Sequence, residues 1–525
     1  MTTKTPMPTL APERAPSATR TVPGNAAHQS FDDLLIDIRA RSAEFGRQKF
    51  ISPDIIESFK EHGIYRALVP RSLGGDERSP RQFCELVERI SQADGSAGWV
   101  ASFGMGVTYL ASLPPATLKT IYADTPDVVF AGGIFPPQQA AAVEGGFEVS
   151  GRWSFSSGCM GATVVSVGII PPGGEGQPLP RMAVMPASRA RVQPNWDVIG
   201  LAGTGSHDLV VDKVVVPEDW TFVRGSPAQM DAPIFRYPSL SFATQALSVV
   251  SLGVARGAIE ELKNLATGRT SVTGAPRTAD RPQVQMEIAR AEAGLRAARA
   301  FFYQSMDEVW NLLLQGRTPT PDQVSMLRLS STHATRTGAE VTRAVQMLAG
   351  MTGIYRDCAL ATQVQDSLVV TQHALMGDIT YQNAGAMLRS CACLGFDAAI
   401  IGPAGFPVTD RDFRRAGMDY LDQLNIQRHV SFVAFMAWRA VEAATSTPRR
   451  LILLTTKVSA SYAACDYRPG DILLVGRETS GVPEEVAQAA DLAVTIPMRP
   501  GARSLNVGVA AAIVMSEARR QAPAF

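Results

Sequence analysis

The sequence predicts a multidomain protein in which a helical domain, a small β barrel and a four-helix bundle are followed by an α/β domain. Three observations support this fold class. The chain has 525 residues, more than a single hydrophobic core usually organises. Apolar residues change from helical spacing to alternation and back over residues 31–386. Beyond residue 390, short continuous apolar runs are typical of strands buried on both faces.

Composition excludes several functional classes. Lys plus Arg number 49 and Asp plus Glu number 49, so a nucleic acid must be held by a local basic patch. Apolar runs such as residues 242–255 are interrupted before the roughly 20 residues that span a bilayer, so no membrane association is expected. The six cysteines form no zinc or disulfide pattern. We therefore expect no metal site and a cytoplasmic protein.

Four segments precede the α/β domain. Residues 1–30 are rich in Pro, Thr and Ala and are predicted to be a disordered tail. Residues 31–127 have helical spacing and form the first domain. Residues 128–235 contain short Val- and Ile-rich runs with Gly or Pro about every ten residues, which predicts a compact antiparallel β domain. Residues 236–386 return to long helical segments and are predicted to form the bundle.

The last segment, residues 387–525, has a different texture. Its runs AAIIGP, RLILLTT, DILLVGRE and LAVTIPM are separated by stretches of helical character. This alternation predicts a parallel sheet in a separate domain.

The motifs PRSLGGDERSP, ADGSAGW, GRWSFSSGC and TQHALMG follow one another through the first three domains. In this order they resemble the acyl-CoA dehydrogenase fold and, within it, the flavin-dependent two-component monooxygenases that hydroxylate aromatic compounds. The resemblance implies reduced flavin (FMN or FAD) delivered by a separate flavin reductase, and an aromatic small-molecule substrate. No carboxylate occupies the position with which dehydrogenases of this fold remove a proton, so acyl-CoA oxidation is disfavoured.

The same resemblance assigns site residues. Trp153, Ser156 and Ser157 match the segment that packs against the flavin ring, although an alternating aromatic and Ser strand is also ordinary barrel structure. His373 matches a histidine near flavin and substrate that orients the oxygen or accepts a phenolic proton; a buried core histidine is the alternative. A further histidine of the family is replaced near Tyr109.

The motifs NAGAMLR, LTTK, LLVGRETSGVPEEV and TIPMRPGARSLNV resemble the SPOUT-class tRNA 2′-O-methyltransferases that act on the wobble cytidine or uridine. The resemblance implies a chain threaded into a trefoil knot, S-adenosyl-L-methionine as cofactor, tRNA as partner and a homodimer. A local set of arginines, Arg411, Arg414, Arg415, Arg499 and Arg503, would contact phosphates.

Here too the resemblance assigns residues. Gly476 would let adenosine lie against backbone, and Arg389 would position the nucleotide and stabilise the 2′-alkoxide. The remaining predicted contacts to the cofactor, each also explicable as core or loop, are Leu454, Ile496, Ser504 and Leu505.

The two resemblances meet at one stretch, QNAGAML, which serves both. The strand that should precede Asn383 is replaced by the helical TQHALMGDITY, so the knotted domain is expected to lack its usual first strand and to have an unpaired sheet edge or to lose a buried layer. We hypothesise recombination, or a misassembled gene, at this shared stretch.

The leading functional prediction is 2′-O-methylation of the tRNA wobble ribose by the C-terminal domain, fused to a flavin-dependent aromatic hydroxylase. The alternative is a monooxygenase whose C-terminal part is a passive or oligomerisation module. A non-catalytic flavin or nucleic-acid binder is the third possibility.

Overall fold

The computed structural model describes residues 29–172, 179–268, 276–373, 375–376, 379–401, 425–429, 431–445, 449–476, 481–499 and 505–522. The prediction of a disordered tail lies outside these residues except at positions 29 and 30. Contacts between Cα atoms divide the chain into two units, Met1–Met376 and Gly377–Phe525. The finer domain boundaries given above remain predictions.

Helices open the N-terminal unit. They are α1 Phe31–Gln48, α2 Pro53–Glu61, α3 Pro80–Ala93, α4 Gly95–Ser102, α5 Val107–Leu110 and α6 Pro115–Ile121. The starts of α1 and α3 are fixed by capping boxes, in which the side chains of Ser30 and Ser79 accept from the backbone of Asp33 and Gln82. Asp94 caps α4 in a similar way, since its carboxylate accepts from the amide of Ala97.

The β domain consists of two four-stranded sheets. Its strands are β1 Phe130–Gln139, β2 Ala141–Val143, β3 Gly146–Trp153, β4 Val164–Ile170, β5 Arg181–Pro186, β6 Arg191–Gln193, β7 Asp208–Pro217 and β8 Thr221–Val223. The sheet orders are β1-β4-β5-β8 and β2-β3-β7-β6. The other five described pairs are antiparallel, as predicted, but β1 and β4 are parallel, which corrects the prediction for this pair. The chain passes through β2 and β3 of the other sheet between these strands, so no hairpin forces them to run in opposite directions.

Four long helices form the bundle. After the short α7, Pro233–Arg236, they are α8 Ser239–Gly268, α9 Pro282–Leu314, α10 Pro321–Leu348 and α11 Ala359–Gln372. Helix α8 packs against α3, α10 and α11. Its residues 239–267 are apolar and long enough to span a membrane, but 94% of the most apolar window is buried inside the protein. Core helices of globular domains have this same character.

Close contact between α3 and α8 depends on two glycines of α8. A Cβ atom added at Gly253 would lie 2.3 Å from the carbonyl oxygen of Glu88, and one at Gly257 would lie 2.5 Å from that of Gln92. The spacing of four residues puts both glycines on one face of α8. The helices can therefore approach until backbone meets backbone.

The C-terminal unit contains helices and parallel strands. They are α12 Ile379–Leu394, β9 Ala398–Ile401, β10 Ile426–His429, α13 Phe432–Thr445, β11 Leu451–Leu454, β12 Ile472–Leu474, α14 Glu484–Gln488, β13 Leu492–Val494 and α15 Val507–Gln521. The strands form two sheets, β10-β9 and β12-β11-β13, with parallel pairing throughout. Between residues 379 and 397 the described backbone is helix and loop, with no strand before Asn383.

Candidate functional site

The segment 195–207 is exposed at Asp197 and Ile199 and largely buried from residue 200 onward, where three elements of the N-terminal unit hold it. The amide of Leu201 donates to Asp366 Oδ1 of α11 at 2.6 Å, and that of Gly203 donates to Ser96 Oγ of α4 at 3.1 Å. The carbonyl of Thr204 accepts at 2.8 Å from the turn that follows β3. Leu201 has a φ of 50°, a left-handed conformation that costs a non-glycine residue about 1–2 kcal/mol. These bonds hold it there.

A chain of hydroxyl groups runs from this segment to α4. Trp99 Nε1 donates to Ser157 Oγ at 3.1 Å, Ser157 Oγ lies 2.7 Å from Ser206 Oγ, and Ser206 Oγ lies 2.8 Å from Thr204 Oγ1. Thr204 Oγ1 donates its only proton to the carbonyl of Leu201 at 2.8 Å. Ser206 must therefore donate to Thr204, and Ser157 to Ser206. Ser157 consequently faces any further ligand as an acceptor.

The predicted flavin segment is built from side chains with different exposure. Trp153 is fully buried and its Nε1 donates to the carbonyl of Gly168 at 2.8 Å, a bond that anchors β3, and its flavin contact stays a prediction. Ser156 is also buried, but its Oγ has no hydrogen-bond partner among the described residues. Phe155 is 71% exposed, with a φ of 61° that turns it outward beside Trp196.

His373 lies just after α11 and reaches the same place. Its ring packs edge-on against Trp99 with centroids 5.6 Å apart. Burial, and secondarily the charge of Arg224, lower the pKa of His373 to about 4, so it is neutral at physiological pH. The amide of Leu375 donates to His373 Nδ1 at 3.2 Å, which leaves the ring proton on Nε2. His373 is therefore a hydrogen-bond donor at Nε2.

Two buried carboxyl groups, Asp94 and Asp366, belong to the elements that hold this segment. Asp94 accepts from Ser42 Oγ at 2.5 Å and from the amide of Ala97 at 2.7 Å. Burial, and then the nearby charge of Asp94, raise the pKa of Asp366 to about 8. Burial raises the pKa of Asp94 as well. At neutral pH the pair thus retains a proton, because two buried like charges destabilise one another.

In the C-terminal unit, Leu454, Gly476 and Ile496 lie at or just beyond the carboxyl ends of β11, β12 and β13. These strands are adjacent and parallel, so their carboxyl ends meet at one edge of the sheet. Crevices at this edge are the usual ligand sites of open α/β sheets. Leu454 and Ile496 pack against the same apolar cluster, formed around Ile452 and Val494.

Gly476 is the tightest point of this edge. A Cβ atom added there would lie 2.4 Å from the carbonyl carbon of Gly481 and 2.7 Å from its oxygen. Two segments of backbone therefore touch, and a side chain at position 476 has no space. The close approach explains why glycine stands here.

The other predicted residues of this unit are less central. Leu505 is 39% exposed, just before α15, where Asn506 caps the helix by accepting from the amides of Gly508 and Val509. Arg389 lies on the exposed side of α12 and has contacts of its own. Ser504 lies outside the described residues, as do the predicted phosphate-contacting arginines Arg411, Arg414, Arg415 and Arg503, whereas Arg499 is described and exposed.

Three residues near His373 were not predicted as site residues. Ser206 belongs to the hydroxyl chain, and Tyr109 and Arg224 pack together with the Arg224 Cζ 5.2 Å from the Tyr109 ring centroid. Only Tyr109 had a sequence signal, its place after the ADGSAGW motif. Among the described residues, no three His, Cys, Asp or Glu side chains are grouped so as to hold a metal ion.

Two family models match the chain. The C-terminal domain of acyl-CoA dehydrogenase matches residues 245–377, and the SpoU rRNA Methylase family matches residues 375–516. The matches share residues 375–377 and meet where the chain divides into its two units.

Known relatives agree with this division. An indole-3-acetate monooxygenase of Pseudomonas putida is 60% identical over 364 residues, 69% of this chain and 94% of the relative. A tRNA (cytidine(34)-2′-O)-methyltransferase of Beijerinckia indica subsp. indica is 62% identical over 144 residues, 27% of this chain and 87% of the relative. The crystal structure of the HsaA monooxygenase from M. tuberculosis superposes with a TM-score of 0.60 at 25% identity, covering 66% of this chain and 93% of that one.

We predict that Asp366→Asn flattens the pH dependence of stability. The pKa of Asp366 is raised in the folded state from an unfolded value of about 4, so folding binds a proton between about pH 4 and pH 8. Stability from this group is fully present at low pH and is lost as the pH rises through that window. Asn keeps an acceptor for Leu201 without the charge. Thermal unfolding should therefore show the variant more stable than the wild type at pH 8.5, and within about 1–2 °C of it at pH 5.

Asp280→Asn is the matched control, because Asp280 is an exposed carboxylate paired with Arg277. It should leave the pH profile unchanged. A variant Asp366→Asn that keeps the wild-type profile would show that this carboxyl group does not titrate as described.

Proposed function

We propose that this chain carries two activities, oxygenation of indole-3-acetate and methylation of the ribose at cytidine 34 of tRNA. Through its N-terminal unit the chain belongs to the acyl-CoA-dehydrogenase-like flavin monooxygenases, and through its C-terminal unit it belongs to the SpoU tRNA 2′-O-methyltransferases. The fusion of the two enzyme domains is plain from the matches. The two substrates are what we propose, and we take them from the names of the relatives.

Flavin is the cofactor of the N-terminal unit. The residues present fit it, since the buried Ser156 hydroxyl has no partner in the described part of the chain and would gain one from a polar cofactor edge. Leaving such a group unsatisfied costs about 1–3 kcal/mol. Ser156, Ser157 and the exposed Phe155 would hold the ring. Reduced flavin, when bound, would supply the two electrons with which O2 gives one oxygen atom to the aromatic substrate and the other to water.

Around that cofactor, the chain's own residues exclude water and present donors and acceptors. The acceptor of Ser157 is fixed by the hydroxyl chain through Ser206. The Nε2 proton of His373 is fixed by the bond at Nδ1. A neutral donor suits an oxygen atom that gains negative charge, so of the two predicted roles of His373 we favour orientation of oxygen over acceptance of a proton.

The test for this site is the fate of oxygen in His373 variants. His373→Ala should lower the yield of hydroxylated product, about 10²-fold, and raise the release of hydrogen peroxide, because the oriented donor is gone. His373→Gln keeps an N–H donor and should retain more of the product. Product and peroxide are measured together, with indole-3-acetate, O2 and externally reduced flavin.

His333→Ala is the control for His373, because His333 is an exposed histidine of α10. Its ratio of product to peroxide should match the wild type. Equal ratios in His373→Ala and wild type would remove His373 from the reaction. We further propose that a separate flavin reductase delivers the reduced flavin, and adding such an enzyme with NADH should replace chemical reduction.

S-Adenosyl-L-methionine is the cofactor of the C-terminal unit, where it supplies the methyl group. The observation that carries this assignment is the meeting of Leu454, Gly476 and Ile496 at the carboxyl edge of three parallel strands. An apolar wall with exposed backbone groups suits an adenine ring. We propose that Ser504 and Leu505 complete the pocket and that the chain here forms the family's trefoil knot.

For the acceptor, Arg389 is proposed to hold the nucleotide near the reacting ribose. An arginine side chain acts as a fixed positive charge, so in this proposal it stabilises a developing 2′-alkoxide while the hydroxyl proton passes to water. Rate then comes mainly from holding the hydroxyl in line with the methyl group. Methylation of cytidine 34 by the full chain, read by mass spectrometry of digested tRNA, tests the proposal.

We predict that Gly476→Trp abolishes methyl transfer to tRNA while leaving oxygenation intact. A side chain at this position collides with the backbone of Gly481 and occupies the edge where cofactor is expected. The measurements are methyl incorporation from labelled S-adenosyl-L-methionine and hydroxylation by the same preparation.

Gly470→Ala is the control, since a Cβ atom there meets only Arg449 Cγ at 3.9 Å, although the φ of 90° strains it. It should lose some stability but keep methyl transfer. Persistent methylation in Gly476→Trp would contradict the site. Absence of methylation in the wild type, with oxygenation present, would favour the alternative in which the C-terminal unit is passive.

We also propose a cytoplasmic homodimer. Val509 on α15 is 50% exposed and Leu505 just before it is 39% exposed, which gives this end of the unit an apolar surface. Light scattering of the full chain would report the oligomeric state, and Val509→Glu should shift it toward the monomer.

A further inference from the structure

Arg224 lies beside the proposed oxygenation site, where no carboxylate of the described residues pairs with it. It follows β8, is half-buried, and its guanidinium lies over the ring of Tyr109 with Cζ 5.2 Å from the centroid. The ion pairs found between described residues do not include Arg224. A half-buried guanidinium stacked on an aromatic ring is arranged to receive a carboxylate in its plane.

The neighbours of Arg224 connect it to the substrate region. Its charge is felt at His373, whose ring packs on Trp99. Tyr109 in turn packs against Phe130, with centroids 6.1 Å apart. Arg224 itself is fixed by its amide, which donates to the carbonyl of Pro180 at 3.1 Å. Aromatic surfaces and one cation therefore occur together, which matches a flat ring that carries an acidic side chain.

We propose that Arg224 binds the carboxylate of the substrate and thereby selects aryl-acetic acids over neutral aromatic compounds. This rests on the proposed oxygenase function and deepens it by naming the residue that sets substrate class. The two hydrogen bonds that a guanidinium offers to a carboxylate would orient the ring toward His373. Tyr109 supports the guanidinium through its ring face.

Binding by the full chain tests this without requiring turnover. Calorimetry is carried out with indole-3-acetate and with indole-3-acetamide, which has nearly the same shape but no charge. The wild type should prefer the acid by at least about tenfold, as expected for a charge-assisted pair. Arg224→Gln should lose this preference while binding the amide as before, and Arg224→Lys should keep part of it.

Arg181→Gln is the matched control, because Arg181 also stacks on an aromatic ring of the β domain, Phe147, at 5.7 Å. It should keep the wild-type preference. Thermal unfolding shows whether each variant is folded. If Arg224→Gln fails to fold, the preference for acid over amide is measured in Arg224→Lys. A preference for the acid that survives in Arg224→Gln, or that is absent from the wild type, overturns the proposal.

Failure of the oxygenase function would look different. In that case indole-3-acetate would give no oxygenated product with reduced flavin, whatever the binding data show. Selective binding of the acid through Arg224 would still identify an aryl-carboxylate site.

Discussion

The hydrogen bond from the amide of Leu201 to the carboxyl group of Asp366 is the contact on which the N-terminal site depends. It holds a non-glycine residue in a left-handed conformation, and that conformation turns the carbonyl of Leu201 toward Thr204. The direction of every proton from Thr204 to Ser157 follows from this one acceptor. A carboxyl group that retains its proton is suited to the position, because a second full charge beside Asp94 would weaken the interior.

The C-terminal unit rests on a different constraint, the pairing of buried parallel strands. Ile401 of β9 and Ile472 of β12 pack against one apolar cluster around Phe435, although the two strands belong to separate sheets. Among described residues, β9 pairs only with β10, and β12 only with β11. These two edges lie within one hydrophobic layer, as expected if the first strand of the domain is lacking. The carboxyl edge with Gly476 is formed by three strands that all lie after Asn383 in sequence.

Sequence reasoning succeeded where a local pattern determines structure. The helical spacing of apolar residues indicated the helices, and motif order indicated both families. It could not determine the parallel pairing of β1 with β4, which depends on where the chain returns. Nor could it separate the buried Trp153 from the exposed Phe155 two residues later, because the left-handed backbone at Phe155 breaks the alternation of a strand. Arg224 could not be predicted as a site residue, because an isolated arginine after a strand matches no sequence motif.

The join between the units carries its own physical argument. The two family matches overlap by three residues, so no linker separates them, and α12 starts at Ile379, two residues beyond the overlap. Helix α12 makes its backbone hydrogen bonds within itself, whereas a strand at this position would need a neighbouring strand. The helix therefore adds no unpaired sheet edge. The unpaired edges are those of β9 and β12, which lie far in sequence from the N-terminal site. The bonds around Leu201 lie wholly within the first unit, so they do not depend on the pairing of strands in the second.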